Sequence, residues 1–287
     1  MNTAVARPMR DPVVLMVAPN GARRVRGDHP RLPLTEQEVV DEVAQAHEAG
    51  AQAAHVHVRD DEGQHVLDAA RYRSLTEALR ARCGDKLIVQ ITTEAAGRYS
   101  PAEQHAVVEA VEPPAVSIAL GELFSDPAEN KRNGDFLHWV RESGIAVQWI
   151  LYAPEDVTRL GTLIQQGFVP RGSAMLFVLG RYSVDHNSRP DDLWPFLAAR
   201  SAHSAIRTAP YSVCAFGQGE TACLTAGLLH GGNARVGFEN SLWHPDGSVA
   251  ESNAERVAYL VAITKQLGWT LATADEARNN LGLRQAA

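Results

Sequence analysis

The sequence has little cysteine and no closely spaced cysteine pair. Its three cysteines, Cys83, Cys214 and Cys223, are an odd number, and none belongs to a C-x-x-C motif. Secreted scaffolds held by disulfides and zinc knuckles built from cysteine both need more cysteine at closer spacing, so both classes are excluded. Sparse thiols are typical of a reducing compartment, and we expect a cytoplasmic protein.

Positive charge and long apolar runs are also scarce. The chain has 27 Lys and Arg against 34 Asp and Glu, a formal net charge of −7. Proteins that bind nucleic acid usually carry a basic excess, so we expect no such partner. No apolar run approaches the ~18 residues of a membrane span. The first run, at 13–18, stops at Pro19, so neither a membrane anchor nor a secretory signal is expected.

Short β-type runs alternate with longer amphipathic stretches along the chain. The predicted strands lie at 13–18, 53–58, 86–91, 115–118, 146–151, 174–178, 212–216 and 235–238. The predicted helices lie at 35–49, 68–82, 101–111, 134–143, 155–166, 191–200, 219–230 and 251–267. Such strict alternation indicates parallel strands joined by right-handed crossovers.

Eight strands and eight helices fit either a closed barrel or an open doubly wound sheet. The dinucleotide-binding open sheet needs a glycine fingerprint after its first strand, and residues 18–22, APNGA, lack one. We therefore predict an α/β protein of the (β/α)8 TIM-barrel class, with residues 1–287 as one domain. The long connections 19–34 and 180–190 both follow predicted strands, which places them at the C-terminal face where barrels build their active sites.

Two histidines stand out among the eleven in the chain, in the string HVHVRD at 55–60. Side chains alternate along a strand, so His55 and His57 would lie on one face and could bind one metal ion. The alternative is a pair of buried histidines satisfied by hydrogen bonds. A metal would need a further ligand, and Glu94, Glu122 and Glu239 all follow predicted strands. Spacing does not choose among these acids, although Glu239 directly follows the eighth strand.

Three strings together resemble the β-keto acid cleavage enzymes: APNGA at 18–22, HVHVRD at 55–60 and RVGFEN at 235–240. The resemblance extends from about residue 13 to 267. It implies a zinc-containing (β/α)8 barrel that condenses a β-keto acid with acetyl-CoA, giving acetoacetate and a new acyl-CoA. It also implies a homo-oligomer, either a dimer or a tetramer.

The same resemblance implies roles for individual residues. His55, His57 and Glu239 would bind the zinc ion, and Arg235 would be the active-site arginine. Asn240 takes the place of an aspartate that usually transfers a proton, although an amide cannot accept one at neutral pH.

Further candidates surround this proposed centre. Gln148 replaces an acidic residue that the family commonly has on the fifth strand, which argues against a cationic, amino-bearing substrate. Thr92 and Thr93 are hydroxyl donors for a substrate carboxylate, or ordinary threonines at the end of a strand. Glu94 is the remaining candidate for a proton acceptor, or an exposed acid in the first turn after its strand.

CoA is polyanionic, so a chain with a net charge of −7 must concentrate positive charge at the cavity entrance if CoA binds there. Arg23 and Arg24 in the loop 19–34 are candidate contacts, and Arg181 and Arg189 flank the second long loop. Gly217 leads into the seventh helix, where backbone N–H groups could bind a phosphate. The alternative for each loop arginine is ordinary solvated surface.

Two other functions remain open from the residues alone. Paired histidines on one strand also activate water in zinc hydrolases. The amidohydrolase-type barrel has its pair on the first strand, however, with further histidines at later strand ends. Here His186 is predicted in a loop, and His203 and His230 on or near helices. The asparagine at 240 also allows a catalytically silent protein that binds a metal or CoA.

Overall fold

Eight parallel strands close into a barrel in chain order, in a computed structural model that describes residues 10–183 and 187–283. The strands are β1 (Leu15–Val17), β2 (Ala53–Val56), β3 (Ile88–Thr92), β4 (Ala115–Ala119), β5 (Ala146–Leu151), β6 (Ala174–Leu179), β7 (Tyr211–Ala215) and β8 (Asn233–Val236). Pairing of Met16 in β1 with Arg235 in β8 closes the ring. The predicted TIM barrel is confirmed.

Helices surround the barrel and cover the outward faces of its strands. They are α1 (Glu36–Ala49), α2 (Ala69–Cys83), α3 (Pro101–Val111), α4 (Leu120–Leu123), α5 (Asn130–Glu142), α6 (Pro154–Gln165), α7 (Leu193–Ala202), α8 (Glu220–Leu229), α9 (Asn253–Gln266) and α10 (Ala274–Asn280). None of these described helices is long and apolar enough to cross a membrane. The assignment of residues 1–287 to one domain stays a prediction, because the chain ends lie outside the described ranges.

Local sequence signals explain how two of the helices begin. The Thr35 side chain accepts from the backbone N–H of Glu38, while the Glu38 carboxylate accepts from the backbone N–H of Thr35. Ser100 and Glu103 form the same reciprocal pair at the start of α3. Both capping boxes satisfy backbone donors that the first turn of a helix leaves unpaired.

The structure adds two short helices to the predicted elements and shifts one strand, and the predicted strand 53–58 ends early, at Val56, so that His57 lies just beyond β2. The one-turn helix α4 follows β4 directly. Near the C-terminus, α10 and Leu283 pack against the first residues of the strands and close the amino-terminal end of the barrel. The eighth strand lies two residues earlier than predicted, because Gly237 has a φ of +144° and turns the chain out of the sheet.

Candidate metal and substrate site

A cavity of about 620 Å³ opens at the carboxyl ends of the strands. Its walls come from the strand ends and from the loops that follow them, with the loop after β1 contributing more residues than any other described loop. This is the face at which TIM barrels hold their active sites. The predicted positions of the two long loops agree with it. His186 lies outside the described residues.

Three candidate ligand atoms meet at one wall of this cavity. The Nε2 atoms of His55 and His57 lie 3.0 Å apart, and the Oε2 atom of Glu239 lies 3.5 Å from the first and 3.8 Å from the second. A tetrahedral metal with bonds of about 2.1 Å separates its ligand atoms by about 3.4 Å. The spacing of the three atoms therefore suits a single metal ion. Of the three acids proposed from the sequence, the structure brings Glu239 to the histidines.

The chain after β8 brings Glu239 to this position by a turn rather than by strand alternation. Arg235 lies in β8, whereas Glu239 lies three residues beyond its end. A side chain at Gly237 would collide with the carbonyl oxygen of Ala18, and one at Gly21 would collide with the side chain of Glu239. Arg235 and Glu239 therefore do not lie on one continuous strand, although their side chains do meet.

Hydrogen-bond partners on the far side of each ring assign the tautomers of the two histidines. The Nδ1 atom of His55 lies 2.9 Å from Oε1 of Gln90, which can only accept, so Nδ1 carries the proton. His65 lies behind His57, with their Nδ1 atoms 3.4 Å apart. The Nε2 atom of His65 donates to the carbonyl of Glu94 at 2.9 Å, which leaves its Nδ1 as the acceptor for His57. Both ligand histidines therefore direct an Nε2 lone pair toward the carboxylate of Glu239.

Burial keeps these rings neutral. It lowers the pKa of His55 to about 4, with the charge of Arg235 as the second cause. Burial and the neighbouring His65 lower the pKa of His57 well below its usual value. Burial alone would raise the pKa of Glu239, but the charged neighbours, Arg235 foremost, outweigh it and lower that pKa. The site thus holds two neutral imidazoles and one carboxylate, the protonation states in which these groups bind metals.

These three ligand atoms suit a divalent metal ion better than the alternative, a pair of buried histidines satisfied by hydrogen bonds alone. Two lone pairs and a carboxylate oxygen face each other within 4.8 Å. The Oε2 atom of Glu239 is buried without a hydrogen-bond partner in the described part of the chain. Repulsion among these atoms needs a cation to offset it. Imidazole and carboxylate ligands are typical of zinc sites that leave a position open for a substrate.

Arg235 lies beside the three ligand atoms and is 3% exposed. Its Nη2 donates to Oε1 of Glu239 at 3.1 Å and contacts the sulfur of Cys214 at 3.4 Å. Burial would lower the pKa of Arg235, but Cys214 and Glu239 outweigh it and raise that pKa, so the guanidinium stays charged. Its Nε and Nη1 atoms have no partner among the described residues.

Glu94 also lines the cavity, on the side of the loop after β3. Burial raises its pKa to about 7, and the carboxylate of Glu239 raises it further than any other charge. Arg23 and Arg181 lie 3.9 Å and 3.8 Å from its Oε1 atom. A carboxyl group that titrates near neutral pH can exchange a proton with a bound substrate. The sequence left open that Glu94 is an exposed acid in the first turn after its strand. In the structure its side chain instead lines the cavity and is largely buried.

The remaining substrate candidates separate into cavity-lining and buried residues. Thr92 and Asn240 line the cavity, and both side-chain atoms of the Asn240 amide are buried without a described partner. The Thr93 hydroxyl instead donates to the backbone carbonyl of Ser117 at 3.2 Å. Gln148 is 1% exposed and binds Gln90, one layer below the cavity. The structure therefore does not bring Thr93 or Gln148 to the cavity.

The cavity entrance concentrates arginine, as a CoA site requires. The arginines that line the cavity are Arg23, Arg24, Arg181 and Arg235, and the acids are Asp28, Glu94 and Glu239. Among the described residues, four arginines therefore face three acids in the lining, while the whole chain carries −7. The Arg24 guanidinium binds the backbone carbonyls of residues 239 and 240, so it joins the loop after β1 to the loop after β8. Gly217 lines the same entrance.

Sequence reasoning missed several residues of the cavity. Ile150 on β5 and Val178 on β6 form part of its wall, and Trp243 in the loop after β8 also lines it. His65, which holds the ring of His57, was missed as well. Its position five residues after the string HVHVRD becomes informative only once the antiparallel bridge between Arg59 and His65 is known.

Barrel and site together define a TIM-barrel enzyme with a candidate metal centre and an arginine-rich entrance. The family model for beta-keto acid cleavage enzyme matches residues 12–283, so the chain belongs to the β-keto acid cleavage enzyme family. The resemblance found in the three sequence strings is thereby confirmed.

Similar proteins cover nearly the whole chain. The 3-keto-5-aminohexanoate cleavage enzyme of Fusobacterium nucleatum is 28% identical over 282 residues, covering 96% of this chain and 100% of that protein. The 3-oxoadipate:acetyl-CoA acetyltransferase of Cupriavidus necator is 26% identical over 287 residues, covering 96% of each. Among solved structures, the complex of ObcA with oxaloacetate superposes with a TM-score of 0.71 at 16% identity, covering 89% of this chain and 68% of that one. That structural match supports the fold alone.

Proposed function

We propose that the chain condenses a β-keto acid with acetyl-CoA. The bond between C2 and C3 of the keto acid breaks, and its carboxymethyl carbon joins the acetyl group to give acetoacetate. The remaining acyl group is transferred to the sulfur of CoA, so no oxidant or reductant is needed. The family match supports this reaction, as do three relatives that are named as acetyl-CoA transferases of 3-oxoadipate, 3,5-dioxohexanoate and 3-dehydrocarnitine.

The convergence of His55, His57 and Glu239 is the observation that carries the proposal. We propose zinc as the metal, since two neutral imidazoles and a carboxylate are typical zinc ligands. Bound there, zinc would act as a Lewis acid that polarises a ketone and stabilises enolate charge.

The residues around the centre supply binding and proton transfer. The free Nε and Nη1 atoms of Arg235 offer two charge-assisted hydrogen bonds to a substrate carboxylate. Thr92 and Asn240 offer a hydroxyl and an unpaired amide from the same cavity. Glu94, with a pKa near 7, takes the role of proton acceptor that Asn240 cannot fill.

The entrance is the proposed contact for acetyl-CoA. Arg23 is largely exposed and Arg181 lies at the cavity wall, so both can meet an anionic CoA group. The glycine turn at Gly217 lies directly before α8, where backbone N–H groups of a helix start favour phosphate. The paired contact with Glu94 keeps Arg181 oriented toward the cavity.

The test is a steady-state assay of zinc-loaded protein with acetyl-CoA and a panel of β-keto acids. The expected products are acetoacetate and a new acyl-CoA in equal amounts. Hydrolysis of simple amides or esters without any acyl-CoA formation would favour a zinc hydrolase instead. Binding of zinc and CoA without any turnover would favour a silent binding protein.

Two further properties are proposed from the resemblance and from composition. The sparse cysteine supports a cytoplasmic location, and the family resemblance supports a homo-oligomer. Light scattering of the purified protein measures the oligomer, and a mass equal to the 31.1 kDa chain would contradict it.

A further inference from the structure

The wall of the cavity that faces the candidate metal centre is apolar. Ile150 on β5 and Val178 on β6 pack with Tyr152 and Phe216 in one cluster inside the barrel. All four line the cavity. In a closed ring of eight strands, β6 lies four strands from β2, which carries His55. The ligand atoms and this apolar wall therefore lie on opposite sides of the lumen.

The other directions away from the metal centre are already filled. Below it, Gln90 donates to Gln148, and Gln148 donates to Ser212, which forms a closed polar floor. Above it, the entrance is lined by arginines that suit the anionic groups of CoA. A keto acid held by its carboxylate and ketone at the metal centre therefore directs its remaining substituent across the lumen, onto Ile150 and Val178.

The side chains of this wall carry no charge of their own. Among the described residues of the apolar cluster, each side chain is aliphatic, aromatic or a thiol, and Tyr152 adds a neutral hydroxyl. The nearby Arg181 lies 3.8 Å from Glu94 and places its guanidinium 5.2 Å from the ring centre of Phe216. A charged group buried against such a wall loses its hydration without gaining a partner.

We infer that the substrate is a 3-oxo acid whose substituent is uncharged and apolar, and that Ile150 and Val178 select it. This inference rests on the proposed function, because it assumes that the keto acid binds at the metal centre. The sequence assigned selection against a cationic substrate to Gln148. In the structure this selection falls instead to Ile150, which lies two residues further along β5 and lines the cavity.

Calorimetric binding to the zinc-loaded chain, without acetyl-CoA, tests the inference independently of turnover. Three six-carbon acids carry different charges toward the far end: 3-oxohexanoate is neutral there, 3-oxoadipate ends in a carboxylate, and 5-amino-3-oxohexanoate has an ammonium group at C5. We expect 3-oxohexanoate to bind at least about tenfold more tightly than either charged acid. Tighter binding of a charged acid, or equal binding of all three, overturns the inference and leaves the proposed function intact. Failure of all three to bind overturns both.

A matched pair of variants locates the selectivity. Ile150→Glu and Ile150→Gln have side chains of the same shape, so they differ in charge alone. Relative to the glutamine variant, the glutamate variant should bind 5-amino-3-oxohexanoate at least about tenfold more tightly and 3-oxoadipate more weakly. Bound zinc and the melting temperature confirm that each variant is folded. Equal affinities in the two variants would show that Ile150 does not face the substituent. The comparison of the three acids on the unmodified chain does not depend on either variant.

Discussion

His65 contacts the side of the His57 ring that faces away from Glu239: the Nδ1 atoms of the two histidines lie 3.4 Å apart. The Nε2 atom of His65 lies 2.9 Å from the carbonyl oxygen of Glu94. This chain of contacts fixes the proton of His57 on Nδ1 and turns its Nε2 lone pair toward Glu239. It also joins the loop after β2 to the loop after β3. Partners of this kind orient metal-binding histidines and raise their basicity.

The first prediction concerns this contact. His65→Phe keeps a buried ring of similar size but removes the acceptor for His57, so we expect zinc affinity to fall by about 10- to 100-fold. Competition with a chromophoric chelator measures the affinity. His138→Phe is the matched control, because His138 binds a backbone carbonyl at the outside of the barrel. Equal zinc affinity in the His65 variant and the control would contradict the role of His65.

The second prediction concerns the ligands themselves. His55→Ala and His57→Ala each remove one of two imidazoles, so each purified variant should lose most of its bound metal. Their rings lie in the lumen, apart from the packing between strands and helices, so the circular dichroism spectrum should be retained. Elemental analysis of the purified proteins measures the metal. Full metal content in both variants would exclude this centre.

The third prediction concerns the pH dependence of turnover. The pKa of Glu94 is raised to about 7, so the carboxylate that accepts a proton forms only as the pH rises through about 7. We expect kcat/KM, whose pH dependence reports the groups of the free enzyme, to increase through that range and then level off. Glu94→Gln should lower kcat by about 100-fold or more and remove this limb of the profile.

Glu122→Gln is the control for loss of a nearby carboxylate. Glu122 accepts from the backbone N–H of Ala95 at 2.9 Å and from Gln104 at 3.1 Å, at the start of the loop that carries Glu94. The variant should keep the limb near pH 7 even where its rate changes. A pH profile that is the same in the unmodified chain and in Glu94→Gln would assign the proton transfer to another group.

The barrel was predictable because its signals are local. Alternating apolar runs and helix caps such as Thr35 with Glu38 each depend on a few neighbouring residues. The register of β8 was missed because the turn at Gly237 depends on the approach of Ala18, more than 200 residues away in the chain. Likewise α10 is a short helix whose burial comes from the far end of the barrel rather than from its own pattern.

The candidate site was predictable where a pattern fixes the face of a strand. Alternation predicts that His55 and Gln148 point inward, and both do. Alternation does not say how far along the barrel axis a side chain lies. Gln148 lies below the cavity and Ile150 lines it, because the axial position of β5 relative to β2 depends on the strand register around the whole ring. Loop contacts such as that of His65 have no such periodicity, and the sequence therefore gives no sign of them.

The fourth prediction tests whether Glu94 or the residue at position 240 accepts the proton. Asn240→Asp adds a negative charge next to Glu239 and opposite the bound carboxylate, so we expect kcat/KM to fall. The loss should appear mainly in KM, because the repulsion acts on binding. Steady-state kinetics with one β-keto acid at fixed acetyl-CoA measures both constants. An increase in kcat would show that the missing aspartate limits the rate, and would contradict the role given to Glu94.

The last prediction concerns a buried ion pair that supports the turn toward Glu239. Arg256 on α9 donates to the carboxylate of Glu220 on α8, and both are almost fully buried. The second oxygen of Glu220 accepts from the backbone N–H of Gly237 at 3.4 Å. Burial raises the pKa of Glu220 to about 7, so its charge depends on Arg256. The pair therefore connects two outer helices to the turn after β8.

Breaking this pair should be costly because it leaves a buried carboxylate without its cation. We expect Arg256→Met to lower the free energy of unfolding by about 3–5 kcal/mol. The double variant Glu220→Gln/Arg256→Met removes both charges and keeps a donor and an acceptor at 220, so it should recover much of that loss. Urea denaturation measures both, and zinc content reports whether the turn still presents Glu239. If the double variant is less stable than the single one by the full cost of a second mutation, the two residues act independently and the buried pair is not what holds the turn.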